Sequence, residues 1–196
     1  MTLKIVKEFP NSYNMNISPK EKEGVLAEIY SISEKIILDY FSEIDPAFRP
    51  IFEVNNRLSS CYGRFIVNSN TIQLSGRLCK AALLVERNQG VPLLEKVLKH
   101  ELAHWFLFMK KQPFDDGNEV FEKLLVEIGS FSSGATRAKL AYAPQLPNFG
   151  FKHSATCEKC GHISFSNNRF NGKYLHGGGC GGFLSDEKIV FLTEND

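Results

Sequence analysis

His100 and His104 stand four residues apart, and a glutamate, Glu101, directly follows the first of them. On a helix that spacing sets two imidazoles one turn apart on one face, where both can reach a single ion. A carboxylate beside the first histidine is then placed to act on a water bound to that ion, which is the chemistry of a zinc peptidase. Zn2+ takes a near-tetrahedral set of N, O or S donors and keeps one position for water when it is catalytic. His100 and His104 supply two donors and Glu101 the general base, so a third protein donor must come from elsewhere. No histidine lies between residues 104 and 153, so carboxylates are the local candidates. Asp115 and Asp116 follow His104 by 11 and 12 residues, and Glu119 and Glu122 lie on the next predicted helix. Asp116 is preferred, because it sits where the chain must reverse to bring that helix back against the first. Asp116-x-x-Glu119 also reads as a capping box, so ligand and cap both stand open for Asp116. Glu122 reads as a solvated residue. The plainer reading of the two histidines is a chance spacing of core or surface side chains. Against it, two imidazoles and a carboxylate buried in an apolar helix are costly without a partner, and a metal supplies one.

A second cluster lies near the C-terminus. Cys157-x2-Cys160-x15-His176-x3-Cys180 has the donors and spacing of a closed, structural zinc site. His162 is a weaker fourth candidate, and His153 reads as a linker histidine. Cys61 and Cys79, far from this cluster, read as small buried apolar residues.

The elements that must carry these residues follow from pattern. Ser18-Pro19-Lys20-Glu21 is a helix start with an N-cap, Pro at the first position and a capping box. Val25, Ile29, Ile32, Ile36 and Tyr40 continue it as a core stripe, with Leu26, Ile37 and Phe41 widening it, until Asp45-Pro46. Strands are predicted over 51–55, 63–67 and 71–74, with a hairpin turn at Asn68-Ser69-Asn70. Helices are predicted over 77–87, 91–109 and 116–128. Ser132-Ser133-Gly134 and 143–148 read as loop and linker, and Ile189–Leu192 as a strand in a Gly-rich tail. Residues 1–17 read as ordered only by docking.

With 196 residues, 43% hydrophobic and 23% charged, the chain fits one ordinary domain plus a small accessory unit. A net charge of +1 supplies no global field toward nucleic acid or membrane. No stretch of about 18 uncharged apolar residues predicts a membrane span, and the N-terminus lacks the apolar core of a secretory signal. Five cysteines, three of them in the tail, point to metal ligation in a reducing cytoplasm more than to disulfides.

Taken together, these pieces resemble the SprT-like family of zinc metallopeptidases, Spartan-related and of the short bacterial type, from about residue 18 to 184. The resemblance rests on the N-terminal helix, on Asn56-Arg57-Leu58-Ser59-Ser60-Cys61-Tyr62-Gly63, on Ile72-x-Leu74-Ser75 and on HELAH with Trp105. It extends to Asp116-Gly117 followed by Phe121-Glu122, to Arg169-Phe170-Asn171 with Tyr174, and to Cys180-Gly181-Gly182. The family's third zinc ligand is a histidine in an HGxxF-like setting. This chain reads Asp116-Gly117-Asn118-Glu119-Val120 before Phe121, and its second ribbon knuckle keeps only Cys180.

The expectation is an α+β fold, helices on a small antiparallel sheet in a zincin-like core, with a C-terminal zinc ribbon. The peptidase domain would span 1–142, and linker and ribbon 143–196. The expected cofactors are one catalytic Zn2+ on His100, His104 and Asp116 and one structural Zn2+ on Cys157, Cys160, His176 and Cys180. The resemblance implies proteolysis of protein substrates, DNA-associated proteins or DNA–protein crosslinks among them. The alternative is a non-catalytic zinc module for DNA or protein. Lys152, Lys159, Arg169 and Lys173, with Phe165, Phe170 and Tyr174, could form a modest dock for DNA or protein, or simply a solvated face.

Overall fold

The computed structural model describes residues 3–10, 12–89, 93–131, 150–166, 168–170 and 174–194. It divides into one unit of Asn16–Leu146 and a second that joins Met1–Met15 to Pro147–Asp196. The expected loop and linker at 132–134 and 143–148 lie outside the described residues. Among the described residues no helix is long and apolar enough to cross a membrane.

In the larger unit, helix α1 (Pro19–Tyr40) starts as its sequence dictates. The Ser18 hydroxyl accepts from the Glu21 N–H, and Glu21 Oε2 accepts from the Ser18 N–H at 2.8 Å. Its buried stripe is Val25, Ile29, Ser33, Ile36 and Ile37, while Tyr40 lies exposed. Strands β2 (Ile51–Asn55), β3 (Gly63–Ile66) and β4 (Thr71–Ser75) follow. β3 and β4 form the expected antiparallel hairpin, closed by Asn70 in the left-handed region at φ 48°. The sheet as a whole is mixed, because β2 lies parallel to β4, in the order β2-β4-β3. The 56–62 connection carries the chain past β4, so β3 becomes an edge and β4 the centre. Helix α2 (Gly76–Gln89) leaves β4 directly, capped by Ser75 Oγ on the Leu78 N–H at 3.1 Å.

Helix α3 (Leu93–Met109) is apolar on most of its circumference, with eleven buried residues from Leu93 to Leu107. Such a helix belongs inside a core. Phe41 of α1 stacks on Phe106, with centroids 4.6 Å apart, and meets Trp105 edge-on. The Trp105 indole N–H donates to the Phe48 carbonyl at 3.1 Å. α3 stops in a Schellman motif: the Gln112 N–H reaches the Leu107 carbonyl and the Lys111 N–H the Phe108 carbonyl, with Lys111 at φ 55°. Helix α4 (Glu119–Glu127) ends the same way, with Gly129 at φ 67° and the Ser130 N–H on the Leu125 carbonyl.

The smaller unit is an antiparallel sheet of four strands in the order β1-β7-β5-β6: β1 (Leu3–Pro10), β5 (Gly150–Cys157), β6 (Ile163–Ser166) and β7 (Leu184–Glu194). The N-terminal strand therefore pairs with the C-terminal one, Phe9 opposite Ile189, and belongs to the smaller unit, not with residues 16–142 as the expected 1–142 boundary would have it. Nothing within 1–17 announces that partner, which is about the whole chain away in sequence.

Candidate metal centres

Two reversals of the chain build the site on α3. After the Schellman turn of α3, the Phe114 carbonyl comes to the Nδ1 of His104 at 2.5 Å. After that of α4, the Phe131 carbonyl comes to the Nδ1 of His100 at 3.2 Å. A carbonyl only accepts, so each Nδ1 carries the proton and each Nε2 is left with its lone pair. Both Nε2 atoms face Asp116 Oδ1, at 3.2 Å from His100 and 3.6 Å from His104. The donor atoms of these three residues all lie within 4.8 Å of one another. Ligands at about 2.1 Å from one tetrahedral zinc would stand roughly 3.4 Å apart, so the residues present fit such an ion.

Asp116 does not cap α4. Asn118 does, its side-chain oxygen accepting from the Val120 N–H at 3.0 Å. The capping reading of Asp116-x-x-Glu119 is thereby corrected: Gly117, at φ 80°, adds a left-handed step that moves the cap two residues on. Of the other carboxylates, Asp115 is exposed, and Glu119 is taken up by Lys123 at 2.6 Å. Glu122 is not solvated as the sequence suggests. It is fully buried, and its Oε1 accepts from the Gly117 N–H at 3.0 Å.

Aromatic rings wall the histidines. Phe121 lies flat on His104, with centroids 4.1 Å apart, and edge-on to His100, which also stacks on Phe131 at 4.8 Å. Glu101 is buried on the same helix, and its carboxylate abuts Gly63 at the start of β3. Burial pushes Glu101 up to about 7 against the pull of His100, and Asp116 adds to the rise. Burial, with the neighbouring His100, holds His104 down at about 4. Burial also pushes His100 down, but the Asp116 carboxylate beside its Nε2 and the charge of Glu101 outweigh this, favour the protonated ring and raise it on balance. Cys61 differs from its reading as a buried apolar residue: it is exposed on the β2–β3 connection, whereas Cys79 is buried as expected.

In the smaller unit, Cys157, Cys160, His176 and Cys180 come together as a second group. The Cys180 sulfur is 3.5 Å from those of Cys157 and Cys160, and His176 Nδ1 is 3.2 Å from Cys180 Sγ and 3.4 Å from Cys160 Sγ. Zinc–sulfur bonds of about 2.3 Å place tetrahedral donors roughly 3.6–3.8 Å apart, close to these spacings. Two glycines make the approach possible: a Cβ on Gly178 would fall 2.5 Å from His176 Cε1, and one on Gly182 2.6 Å from Cys157 Sγ. Desolvation pushes the Cys157 thiol up, but the backbone N–H groups of Cys160 and Lys159 and the neighbouring thiols bring it down to about 7. His162 stacks on His176 at 4.6 Å and stands outside the donor group. His153 is no linker residue. It lies buried on β5, its Nδ1 3.0 Å from Glu187 Oε1.

Sequence reasoning did not reach the bracing carbonyls of Phe114 and Phe131, the packing of Gly63 on Glu101, or Glu122. Only the glycines at 63 and 117 hinted at close approach or reversal.

The sequence profile of the SprT-like family matches residues 29–139. A Protein SprT-like of Streptococcus mutans is 25% identical over 153 residues, which is 76% of this chain and 94% of that protein. One from Streptococcus suis is 28% identical over 140 residues, 70% of this chain and 85% of that protein. No solved structure matches the chain.

Proposed function

Because the chain belongs to the SprT-like family, we propose that it is a zinc-dependent metallopeptidase with His100, His104 and Asp116 as ligands and Glu101 as general base. The observation that carries this reading is the convergence of two carbonyl-braced Nε2 atoms and one aspartate oxygen on a common point. Zinc held there supplies Lewis acidity and an acidified water. Glu101 takes the proton of the attacking water on its carboxylate and passes it to the leaving amine. Its buried place beside His100, on the same helix, suits a group that must both accept and donate a proton. β3, one of the two edges of its sheet, begins beside Glu101, so an extended substrate could add to it by main-chain hydrogen bonds.

A second, structural zinc belongs to the ribbon cluster. Substrates in this reading are proteins, DNA-associated proteins and DNA–protein crosslinks among them. Lys152, Lys159 and Arg169 on the ribbon unit favour that choice, and five free thiols favour the cytoplasm. The test is Glu101→Gln, which should keep both zinc ions and abolish cleavage of an unfolded protein substrate. Cleavage by the variant at the wild-type rate would reject the peptidase reading. An aspartate in the third ligand place favours a second reading, a zinc module without catalysis. A wild-type chain that holds two zinc ions and cleaves neither free nor DNA-bound protein would support it.

A further inference from the structure

The buried carboxylate of Glu122 is not used by the chemistry above. It is 0% exposed and lies one residue past Phe121, which packs on both histidines. It stands outside the group of atoms that could hold an ion. Burying a carboxylate is costly, and one that folding retains has strong hydrogen-bond work to do. Its acceptor Oε1 takes the Gly117 N–H at 3.0 Å. Gly117 sits in the left-handed region, at φ 80°, and directly follows Asp116. Asp116 immediately precedes Gly117, so the turn at Gly117 sets where the Asp116 side chain starts, with its Oδ1 3.2 Å from His100 Nε2.

We propose that Glu122 is a positioning residue: by clamping the Gly117 N–H it fixes the turn that holds Asp116 Oδ1 over the two histidine Nε2 atoms. This rests on Asp116 being the third ligand. The charge at the first turn of α4 is a lesser effect, because it would be met as well by any acidic residue there. Hydrogen-bond reach, however, is specific to the longer side chain. Glu122→Asp keeps the charge and falls one methylene short of Gly117. Glu122→Gln loses the charge and keeps an acceptor oxygen at the same reach.

The experiment counts zinc per chain after equilibrium dialysis of the purified full-length protein against chelators of graded strength. The ribbon zinc serves as the internal reference, and thermal unfolding as the check that each variant folds. Glu122→Gln should hold the second zinc within a few fold of wild type, whereas Glu122→Asp should lose it at about 10- to 100-fold weaker chelation. Retention of the second zinc by both variants at wild-type strength would overturn the proposal. So would equal loss in both, or a greater loss in Glu122→Gln, since those outcomes point to charge or to general packing. If wild type itself holds only the ribbon zinc, the ligand reading of Asp116 fails, and with it this proposal.

Discussion

A methyl group on Gly63 would stand 2.7 Å from Oε1 of Glu101 and 2.8 Å from its Cγ. The first residue of β3 therefore sets the space in which the Glu101 carboxylate lies. Because Glu101 is buried, it has little room to yield except by turning its carboxylate away. Gly63→Ala should leave zinc content and folding intact and lower kcat by at least about tenfold, with a smaller effect on KM. Steady-state kinetics beside elemental analysis reads both quantities, and a wild-type kcat would show that Glu101 tolerates the shift.

The ligand reading of Asp116 predicts a stoichiometry of metal. Wild type should carry two zinc ions per chain and Asp116→Ala one. Asp116→His should regain the second, since an imidazole there offers zinc a nitrogen in place of the oxygen. Elemental analysis of the three proteins makes the comparison. Two zinc ions in Asp116→Ala would move the third ligand elsewhere.

The ribbon depends on a glycine at 178, where a Cβ would press on His176 Cε1 at 2.5 Å. Gly178→Ala should release the ribbon zinc to a colorimetric chelator faster than wild type, while the zinc on α3 stays. Release at an unchanged rate would mean that His176 can shift without leaving the donor set.

Trp105 ties α3 to the loop before β2 through Phe48 and lies fully buried beside Phe41. Trp105→Ala should cost about 3–5 kcal/mol of stability. Trp105→Phe should cost less, about 1–3 kcal/mol. The Phe48 carbonyl would still accept from Asn70 in that variant. Urea unfolding of the two variants measures the difference.

Glu21 links the cap of α1 to α2. Its hydrogen bond to Lys80 and its bonds to Ser18 hold its carboxyl down at about 2. A carboxyl lowered on folding contributes stability above its unfolded pKa of about 4.3, lost as pH falls toward the folded value. Glu21→Gln should therefore unfold earlier than wild type at pH 7, with the gap closing between about pH 4 and pH 2. Denaturation midpoints at several pH values would reveal a gap that fails to close.

HELAH on an apolar helix, the Ser18 capping box and the Cys-x2-Cys knuckle were all legible in the chain alone. Each is a spacing within one element, where helical or turn geometry converts sequence distance into spatial distance. Which carboxylate stands beside the two histidines was legible only as a choice among several. Tertiary structure decided it, because the Schellman turn at Lys111 and the left-handed Gly117 set which oxygen meets the Nε2 atoms. The same holds for Glu122, whose burial depends on α4 packing against α3, and for β1, whose partner β7 lies at the other end of the chain. Periodicity is a local property, whereas burial and strand pairing depend on which distant surfaces meet after the chain reverses. The sequence alone therefore determined that two histidines and a glutamate share one helical turn. The fold decided what faces them.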